Sequence, residues 1–321
     1  MRIGIDIMGG DFAPGSTIAG SFLARKEIPG DVELVLFGDK EAIIQQQNNN
    51  GLAFRGMDVF HCPEKIEMSD QPHKAFFQKK LSTINQGFRQ LRHGNIDAFC
   101  SAGNTGAMMI GATQVINPIP GIIRPAIAVV LPNLSGRYSI LLDVGINPDS
   151  RPDVLYQYGI IGKAYAKSMN GITEPRVGLI NIGKEEEKGN LTTKSAYQLM
   201  NDSDDFLFVG NVESNEIFTD PGAEVLICDG FVGNVILKEA EGFYQVIKKR
   251  KITDDFFELF NFENFGGTAI LGVNKPVVVG HGISNEIAIK NMILHTWEVS
   301  KNNLVNYIKE AIEKWEISER Q

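Results

Sequence analysis

Two short loops rich in glycine and asparagine contain the residue types best suited to binding an anion. The first covers residues 101–106 (SAGNTG) and the second covers residues 229–234 (DGFVGN), and each follows a short apolar run. Glycine lets backbone N–H groups approach a ligand closely, and a helix that follows such a loop favours negative charge at its N-terminus. The amides of Asn104 and Asn234 add neutral donors. Together the loops indicate a site that binds phosphate and an acyl oxygen.

Neither loop matches a familiar phosphate-binding signature. The chain has no GxxxxGK[ST] sequence and no GxGxxG between a strand and a helix, and the MGGD run at 8–11 is too short for a dinucleotide fingerprint. The same residues would also serve in ordinary strand-to-helix turns, where glycine and asparagine supply the backbone angles. The presence of two such loops in one chain favours a binding site over turns alone.

The composition is that of a soluble globular protein and disfavours binding to nucleic acid. The 321 residues are enough for one large α/β unit or two lobes, and the apolar (43%) and charged (22%) fractions are ordinary. The formal net charge of −8 disfavours nucleic acid as a partner.

The cysteines and histidines show no metal-binding or disulfide pattern. Cys62, Cys100 and Cys228 have neither paired nor metal-like spacing, and the five histidines include no HxH or HxxxH. We therefore expect no transition-metal site and a reducing compartment. The N-terminus enters a strand-like run without a leader, and no apolar run reaches the roughly 18 residues that a transmembrane helix needs. These features predict a cytoplasmic protein.

Strand-like and helix-like segments alternate along the chain. Apolar runs typical of strands occur at 2–7, 32–37, 96–100, 126–131, 139–143, 176–182, 206–209, 224–228 and 276–279. Helix-like patterns occur at 16–26, 40–49, 73–92, 105–116, 153–169, 190–201, 235–250 and 284–315. This alternation predicts a doubly wound α/β sheet, in which ligands bind beyond the carboxyl ends of the strands. The runs 126–131 and 139–143 predict a hairpin. Since no linker is evident, we expect one unit over 1–321 with two interleaved lobes.

Seven stretches, in this order and spacing, closely resemble the phosphate acyltransferase family of phospholipid synthesis. They are GIDIMGGD (4–11), SAGNTGA (101–107), RPA (124–126), LLDVG (141–145), EEKGN (186–190), DGFVGN (229–234), and LGVN (271–274) followed by GHGISN (280–285). The resemblance covers essentially the whole chain.

This resemblance implies transfer of an acyl group from acyl-[acyl carrier protein] to orthophosphate, giving acyl phosphate and free carrier. It also implies a relative of phosphotransacetylase with a three-layer α/β/α fold and a mixed, mostly parallel sheet, similar to isocitrate and isopropylmalate dehydrogenases. The implied assembly is a homodimer. Neither a metal nor an organic cofactor is implied, and the product would pass to a membrane glycerol-3-phosphate acyltransferase.

The candidate site residues fit such a reaction. Phosphate dianion is already a nucleophile, and the chain has no GxSxG elbow or defensible Cys–His pair, so the enzyme must mainly hold phosphate and stabilise an oxyanion. We predict that Asn234 is a catalytic donor and that Lys188 neutralises phosphate charge, although Lys188 could also be a solvated lysine. The predicted substrate-binding residues are Asp6, Gly103, Asn104, Thr105, Gly106, Gly233, His281 and Ser284.

Some of these residues have alternative roles. Asp6 and Asp11 would serve equally well as caps of the N-terminal loop. His281 could protonate the departing thiolate, but a thiolate of pKa about 8.5 leaves readily without an acid. We therefore expect His281 and Ser284 to line the site rather than to be essential.

The segment 248–266 combines a basic run with an amphipathic pattern. The basic residues are Lys248, Lys249, Arg250 and Lys251. The following residues, 252–261, predict a helix with an apolar face that includes Phe256, Phe257 and Phe260. Such a helix could pack in the core or at a dimer interface. Alternatively, it could lie on an anionic membrane surface, or the basic run could dock the acidic carrier protein.

The sequence leaves two other functions open besides the acyl carrier reaction, and it disfavours a third. A phosphotransacetylase would act on acyl-CoA instead, and a catalytically silent membrane scaffold would form no acyl phosphate. A dehydrogenase of the same fold is disfavoured, because the sequence has neither clustered carboxylates for a metal nor a nucleotide signature.

Overall fold

The computed structural model describes residues 1–50 and 56–318, and the chain forms two compact units, each built from two separate segments. Unit 1 combines Met1–Pro118 with Phe262–Lys301. Unit 2 combines Ile119–Asn261 with the segment that begins at Asn302.

The secondary structure of the described residues alternates between strands and helices. The strands are β1 (Arg2–Asp6), β2 (Glu33–Gly38), β3 (Met57–His61), β4 (Ala98–Ser101), β5 (Ala126–Pro132), β6 (Tyr138–Leu142), β7 (Arg176–Asn181), β8 (Leu207–Glu213), β9 (Val225–Ile227), β10 (Gly267–Leu271) and β11 (Val277–Gly280). The helices are α1 (Gly15–Glu27), α2 (Lys40–Asn50), α3 (Pro72–Gln78), α4 (Thr83–Arg92), α5 (Thr105–Ile110), α6 (Pro152–Asn170), α7 (Leu191–Asn201), α8 (Gly230–Lys249), α9 (Asp255–Glu258), α10 (Phe262–Phe265), α11 (Glu286–Lys301) and α12 (Leu304–Ser318). A π-helical stretch, Gly111–Ile116, continues α5.

Unit 1 contains a mostly parallel sheet in the order β3-β2-β1-β4-β11-β10. The pairs from β3 to β11 are parallel, and only β10 runs antiparallel to its neighbour β11. Helices cover both faces of this sheet. Phe99 and Cys100 on β4 point to opposite faces. The ring of Phe99 packs 5.3 Å from Phe88 of α4, whereas the side chain of Cys100 lies beside Thr296 of α11.

Unit 2 contains a second mixed sheet in the order β5-β6-β9-β7-β8. Strands β5 and β6 form the predicted antiparallel hairpin, and the remaining pairs are parallel. Helix α6 lies directly on this sheet, because a Cβ atom at Gly162 would be 2.4 Å from Val225 of β9 and 3.0 Å from Leu142 of β6. In both units helices therefore cover the apolar runs that form the strands, as the alternating pattern predicts.

The prediction of an α/β fold and of nine strands is confirmed, and two strands were missed. Strand β3 is a partly exposed edge strand, and β10 begins at a glycine, so neither presents the apolar run that marks the central strands. In the described residues no helix is long and apolar enough to cross a bilayer.

Four helix predictions need correction. The segment 73–92 forms two helices, because the chain turns at Lys79 and Ser82 starts α4 by accepting the N–H of Asn85. The segment 284–315 also forms two helices, with Asn303 at φ 60° separating them. Helix α8 begins at Gly230 rather than at 235. The predicted helix over 252–261 is reduced to the four residues of α9.

A buried carboxylate joins β1 to β4 in unit 1. Asp6, which is 1% exposed, accepts hydrogen bonds from the hydroxyl of Ser101 (2.7 Å) and from the backbone N–H of Met8 (3.0 Å). Burial raises the pKa of Asp6, and these hydrogen bonds oppose the increase. The Asp6 side chain therefore fixes the direction of the backbone that follows β1.

The titration of Asp6 predicts a pH-dependent contribution to stability. Because its pKa is raised by folding, the folded state binds a proton more tightly than the unfolded state. The free energy of unfolding of wild type relative to Asp6→Asn should therefore increase as the pH falls from 7.5 towards the ordinary carboxyl pKa of about 4. Urea unfolding of both proteins at several pH values measures this difference. A constant difference, or one that shrinks at low pH, would contradict the prediction.

The close approach of α4 to the sheet predicts a second stability effect. A Cβ atom at Gly87 would lie 2.2 Å from two ring carbons of Phe99, so Gly87→Ala should lower the free energy of unfolding by about 1–3 kcal/mol through overpacking. The matched control is Gly242→Ala in α8, where a Cβ atom meets no atom within 4 Å. That change should stabilise the protein by about 0.5–1 kcal/mol, since alanine favours helices. Thermal or urea unfolding measures the stability of both variants. Equal changes in the free energy of unfolding for Gly87→Ala and Gly242→Ala would rule out the packing explanation.

Candidate active site

In unit 1, the loops after β1, β4 and β11 meet at one edge of the sheet. The three strands are parallel neighbours, so their carboxyl ends lie together. A Cβ atom at Gly9 would be 2.7 Å from the backbone nitrogen of Gly103, so the first two loops touch and leave no room for a side chain. The third loop joins them through a hydrogen bond from the N–H of Asp11 to the carbonyl of Gly282 (2.8 Å).

The predicted residue Asn104 is buried, and its side chain is occupied within the protein. Its Nδ2 group lies within hydrogen-bond distance of three carbonyl oxygens, those of Glu67 (3.2 Å), Met68 (3.3 Å) and Asp70 (3.1 Å). Its Oδ1 atom accepts the N–H of Ala107 and caps α5. In the described conformation this amide is therefore taken up by carbonyl groups of the protein, and the role of Asn104 in substrate binding stays a prediction. The bonds that Asn104 makes position the loop around it.

The neighbours of Asn104 differ in their accessibility. Thr105 is exposed at the first position of α5 and can contact a ligand. Gly106 packs against Pro72, where a Cβ atom would be 2.5 Å from the ring, and the N–H of Gly103 donates to Ser101 (2.9 Å). The two glycines therefore serve close packing, and Thr105 is the part of the loop that faces outward.

The loop after β11 holds His281 and Ser284 in one turn. The carbonyl of His281 accepts both the hydroxyl (2.5 Å) and the backbone N–H (3.0 Å) of Ser284. Ser284 is 2% exposed, so its hydroxyl closes the turn rather than lining an open site. The half-buried ring of His281 packs 5.5 Å from Phe262.

In unit 2, the segments that follow β6, β7 and β9 also lie at one sheet edge. Strand β9 pairs in parallel with both neighbours, and Ile227 lies opposite Leu142 on one side and Leu179 on the other. These segments contain the second loop rich in glycine and asparagine (229–234) and both residues predicted to be catalytic. Topology therefore places Lys188 and Asn234 after adjacent strands.

The anchor of this edge is Asp143, the aspartate of the LLDVG stretch (141–145). Its buried carboxylate accepts N–H groups from Ile127 (3.0 Å) and Asn147 (2.6 Å). The amide of Asn147 in turn contacts the carbonyl of Pro125 (2.8 Å) and the hydroxyl of Tyr158 (2.7 Å). Burial raises the pKa of Asp143 and that of Tyr158, and the negative charge of Asp143 further opposes ionisation of the Tyr158 hydroxyl. Sequence reasoning missed Tyr158, because nothing in the helical pattern of α6 indicates a polar contact.

The second asparagine loop is the first turn and a half of helix α8. Asp229 caps the helix by accepting the N–H of Val232 (2.8 Å). A Cβ atom at Gly233 would be 2.0 Å from the carbonyl oxygen of Asp143, and Gly233 is buried. This glycine therefore lets the helix pack against the Asp143 turn, and its contact with substrate stays a prediction.

Asn234 is exposed and its amide faces Gly145. A Cβ atom at Gly145, which has φ 95°, would be 3.6 Å from the Oδ1 atom of Asn234. Within the described part of the chain, the amide makes no hydrogen bond. The side chain can therefore donate to a ligand.

Lys188 lies in the exposed loop that joins β7 to α7. Its N–H donates to the carbonyl of Glu185 (3.1 Å), and its aliphatic part passes the Cα of Gly183, where a Cβ atom would be 2.9 Å away. Among the described residues its ammonium group forms no ion pair, whereas Lys184 in the same loop pairs with Glu216. Lys188 therefore offers an unneutralised positive charge at the edge that also carries Asn234.

In the predicted docking segment the basic run is exposed as expected, but the long helix predicted after it is not formed. Lys248, Lys249, Arg250 and Lys251 are all exposed, and the ammonium of Lys248 lies 5.4 Å from the ring centroid of Tyr244. Helix α9 is tied back to α8 by a hydrogen bond from the hydroxyl of Tyr244 to Glu258 (2.8 Å).

The phenylalanines of this segment form a half-buried cluster. Phe260 packs 5.3 Å from Phe218 and 5.5 Å from Phe256, and Phe256 packs 5.9 Å from Phe257. The apolar face predicted for a membrane or a partner is therefore partly covered by the protein itself.

Comparison with known proteins identifies the family. The family described as "Fatty acid synthesis protein" matches residues 1–307. A phosphate acyltransferase from Halothermothrix orenii is 38% identical over 334 residues, covering 98% of this chain and 99% of the relative.

Among solved structures, a phosphotransacetylase from Streptococcus pyogenes has the same fold, with a TM-score of 0.62 at 18% identity over 93% of this chain and 94% of its own. A 4-hydroxythreonine-4-phosphate dehydrogenase from Klebsiella pneumoniae has a TM-score of 0.55 at 10% identity over 93% and 98% of the two chains. At such identities the likeness concerns the fold alone, and it confirms the predicted dehydrogenase-like α/β fold. The family match and the phosphate acyltransferase relatives, which are 36–39% identical, together show that this chain belongs to the phosphate acyltransferase family and is an acyltransferase that uses phosphate.

Proposed function

We propose that the protein transfers a fatty acyl group from acyl-[acyl carrier protein] to orthophosphate, and that the acyl phosphate serves phospholipid synthesis. The observation that carries this proposal is the pairing of an available amide, that of Asn234, with an unneutralised lysine, Lys188, on segments after adjacent parallel strands. A neutral donor and a fixed positive charge are the groups that phosphate and a developing oxyanion require.

The reaction needs no covalent intermediate with the enzyme. An oxygen of phosphate attacks the carbonyl carbon of the thioester, and the carbonyl oxygen becomes an oxyanion. When this intermediate collapses, the carbon–sulfur bond breaks, the acyl group stays on phosphate, and the carrier leaves as a thiolate that takes up a proton. In this scheme Lys188 holds the phosphate dianion, and Asn234 donates to the oxyanion or to the phosphate.

The unit 1 edge carries the other residues that the sequence predicts to bind substrate. Thr105 is exposed at the start of α5, and the ring of His281 is half-buried in the turn after β11. We assign both to substrate binding at this edge. Asp6, Gly103, Gly106 and Ser284 support this edge through the contacts described above.

The exposed basic run is the proposed docking site for the carrier. Lys248 to Lys251 stand out in a chain of net charge −8, and an acidic carrier protein would be drawn to them. The same charges would favour an anionic membrane surface, where each contributes about 1 kcal/mol. A cytoplasmic enzyme with peripheral membrane contact would deliver its product directly to a membrane glycerol-3-phosphate acyltransferase.

An exposed apolar face of α8 supports a homodimer. Phe231 (64%), Val235 (45%), Phe243 (65%) and Val246 (53%) are exposed, and at 100° per residue they share one side of the helix. A second copy of the chain would cover this face.

The proposed reaction is tested by measuring thiol release from palmitoyl-ACP with and without phosphate, and by trapping acyl phosphate with hydroxylamine. Parallel reactions contain palmitoyl-CoA. Phosphate-dependent release from the carrier substrate supports the proposal. A strong preference for the CoA substrate would favour a phosphotransacetylase, and no phosphate-dependent release from either would favour a scaffold.

The first prediction that tests the proposed function concerns Asn234. Replacing Asn234 with alanine should lower kcat about 100- to 1000-fold, since it removes a preorganised donor to the oxyanion. Steady-state thiol release at saturating phosphate measures the effect. Gln245→Ala removes another exposed amide from the same helix and should leave kcat unchanged. Wild-type kcat in Asn234→Ala would place the reaction centre elsewhere.

The second prediction concerns carrier docking. Reversing Lys249 and Arg250 to glutamate should raise KM for palmitoyl-ACP about 10-fold at low salt, with little change at high salt or with palmitoyl-CoA. The control reverses Lys26 and Lys314, which are exposed on α1 and α12 and give the same change in net charge. An equal rise in both proteins would show a general charge effect and contradict docking at this run. Binding to anionic vesicles, measured for the same proteins, separates a membrane role from a carrier role.

A further inference from the structure

Lys188 lies in an exposed loop that contains three consecutive glutamates, yet the backbone of this loop is held firmly. The loop joins β7 to α7 and covers residues 182–190. Two asparagine side chains beneath it, Asn181 and Asn211, bond to its carbonyl groups. Neither asparagine belongs to the residues that the sequence singled out.

Asn181 is the last residue of β7 and is 9% exposed. Its Nδ2 group donates to the carbonyl oxygen of Lys188 itself (3.1 Å), and its Oδ1 atom accepts the N–H of Ile182 (2.9 Å). The side chain therefore joins the first residue of the loop to the residue that bears the candidate catalytic ammonium.

Asn211 lies on the neighbouring strand β8 and is 7% exposed. Its Oδ1 atom accepts the second N–H of Asn181 (3.0 Å), and its Nδ2 group donates to the carbonyl of Glu185 (2.8 Å). The register between β7 and β8 shifts after Val177, and Asn211 follows that irregularity, opposite Leu179. The two amides thus form a chain from β8 to two separate points of the loop.

The loop fits closely over these amides. Gly189 has φ 94°, and a Cβ atom there would be 2.4 Å from Oδ1 of Asn181 and 2.1 Å from the hydroxyl of Thr193. A side chain at this position would push the loop away from the asparagines. Buried amides that lost their partners would leave unsatisfied donors and acceptors, so this arrangement specifies one loop conformation.

We propose that Asn181 and Asn211 are positioning residues that fix Lys188 for phosphate by clamping the backbone of its loop. Lysine has a long and flexible side chain, and a clamp at its own carbonyl removes backbone motion without neutralising its charge. This inference rests on the proposed role of Lys188. Its alternative is that the two amides only stabilise the fold of unit 2.

A double-mutant cycle separates the two roles. The single variants are Asn211→Ala and Lys188→Met, and the measurements are kcat and KM for phosphate at saturating palmitoyl-ACP. Asn211→Ala should lower kcat/KM for phosphate about 10- to 100-fold, the cost of a misplaced catalytic group. In the Lys188→Met background the same change should cost less than about 3-fold, because there is no ammonium left to position. Asn181→Ala should behave like Asn211→Ala.

A conservative variant tests the donor function of Asn211. Asn211→Asp keeps the acceptor for Asn181 but replaces the donor to Glu185 with a carboxylate. Its activity relative to wild type should recover as the pH falls, because a protonated carboxyl can donate to that carbonyl. A loss unrelated to this donor would not produce this pH profile.

The matched control is Asn133→Ala in the β5–β6 hairpin turn. Asn133 is 4% exposed and its amide also holds a local turn, but the turn lies at the amino end of β6, away from Lys188. Asn133→Ala should leave KM for phosphate unchanged. Hydrogen exchange of residues 182–190 should accelerate in Asn211→Ala but not in Asn133→Ala.

The outcomes distinguish the inference from the proposed function. Equal losses from Asn211→Ala in both backgrounds, or unchanged kinetics despite faster loop exchange, would overturn the clamp and leave the proposed function standing. Wild-type kinetics of Lys188→Met would overturn both the role of Lys188 and the clamp.

Discussion

Each unit depends on a buried carboxylate at the carboxyl end of a central strand. Asp6 ends β1 and Asp143 follows β6, and each is at most 1% exposed. Each carboxylate accepts a hydrogen bond from a backbone N–H of the loop that it holds. Each accepts another from a neighbouring strand, from a hydroxyl in unit 1 and from a backbone N–H in unit 2. Burying a carboxylate is costly unless such bonds compensate, and the raised pKa values of both residues reflect that balance.

The glycines of the motifs follow from these carboxylates. A Cβ atom at Gly9 would be 2.5 Å from Oδ2 of Asp6, and one at Gly230 would be 2.8 Å from Oδ2 of Asp143. In both units a glycine therefore packs directly on the carboxylate, and the loop or helix can come this close only without a side chain. The carboxylates build the edges of the two sheets, and the chemistry is left to groups that face outward.

Most strands of both sheets could be predicted from the sequence, because strands buried on both faces leave clear apolar runs. The loops after β4 and β9 could be located for the same reason. Whether a side chain in these loops points inward or outward could not be predicted. Asn104 looks identical to Asn234 in the sequence, but its amide turns inward to carbonyls at positions 67, 68 and 70, more than 30 residues away. The start of α8 was placed too late, since glycine is unfavourable inside helices and Gly233 obscured the capping signal of Asp229.

Neutral amides are a suitable support for a cation that must remain available to phosphate. A carboxylate beneath the loop would attract the ammonium of Lys188 and neutralise it, as Glu216 does for Lys184 a few residues earlier. An amide pair supplies donors to the loop carbonyls and an acceptor to the loop N–H, yet adds no charge. The same reasoning explains why an asparagine, Asn234, is the candidate donor at the neighbouring segment. Beside a dianionic substrate, an amide can donate a hydrogen bond without a pKa of its own, so its protonation does not depend on the charge of the phosphate that it binds.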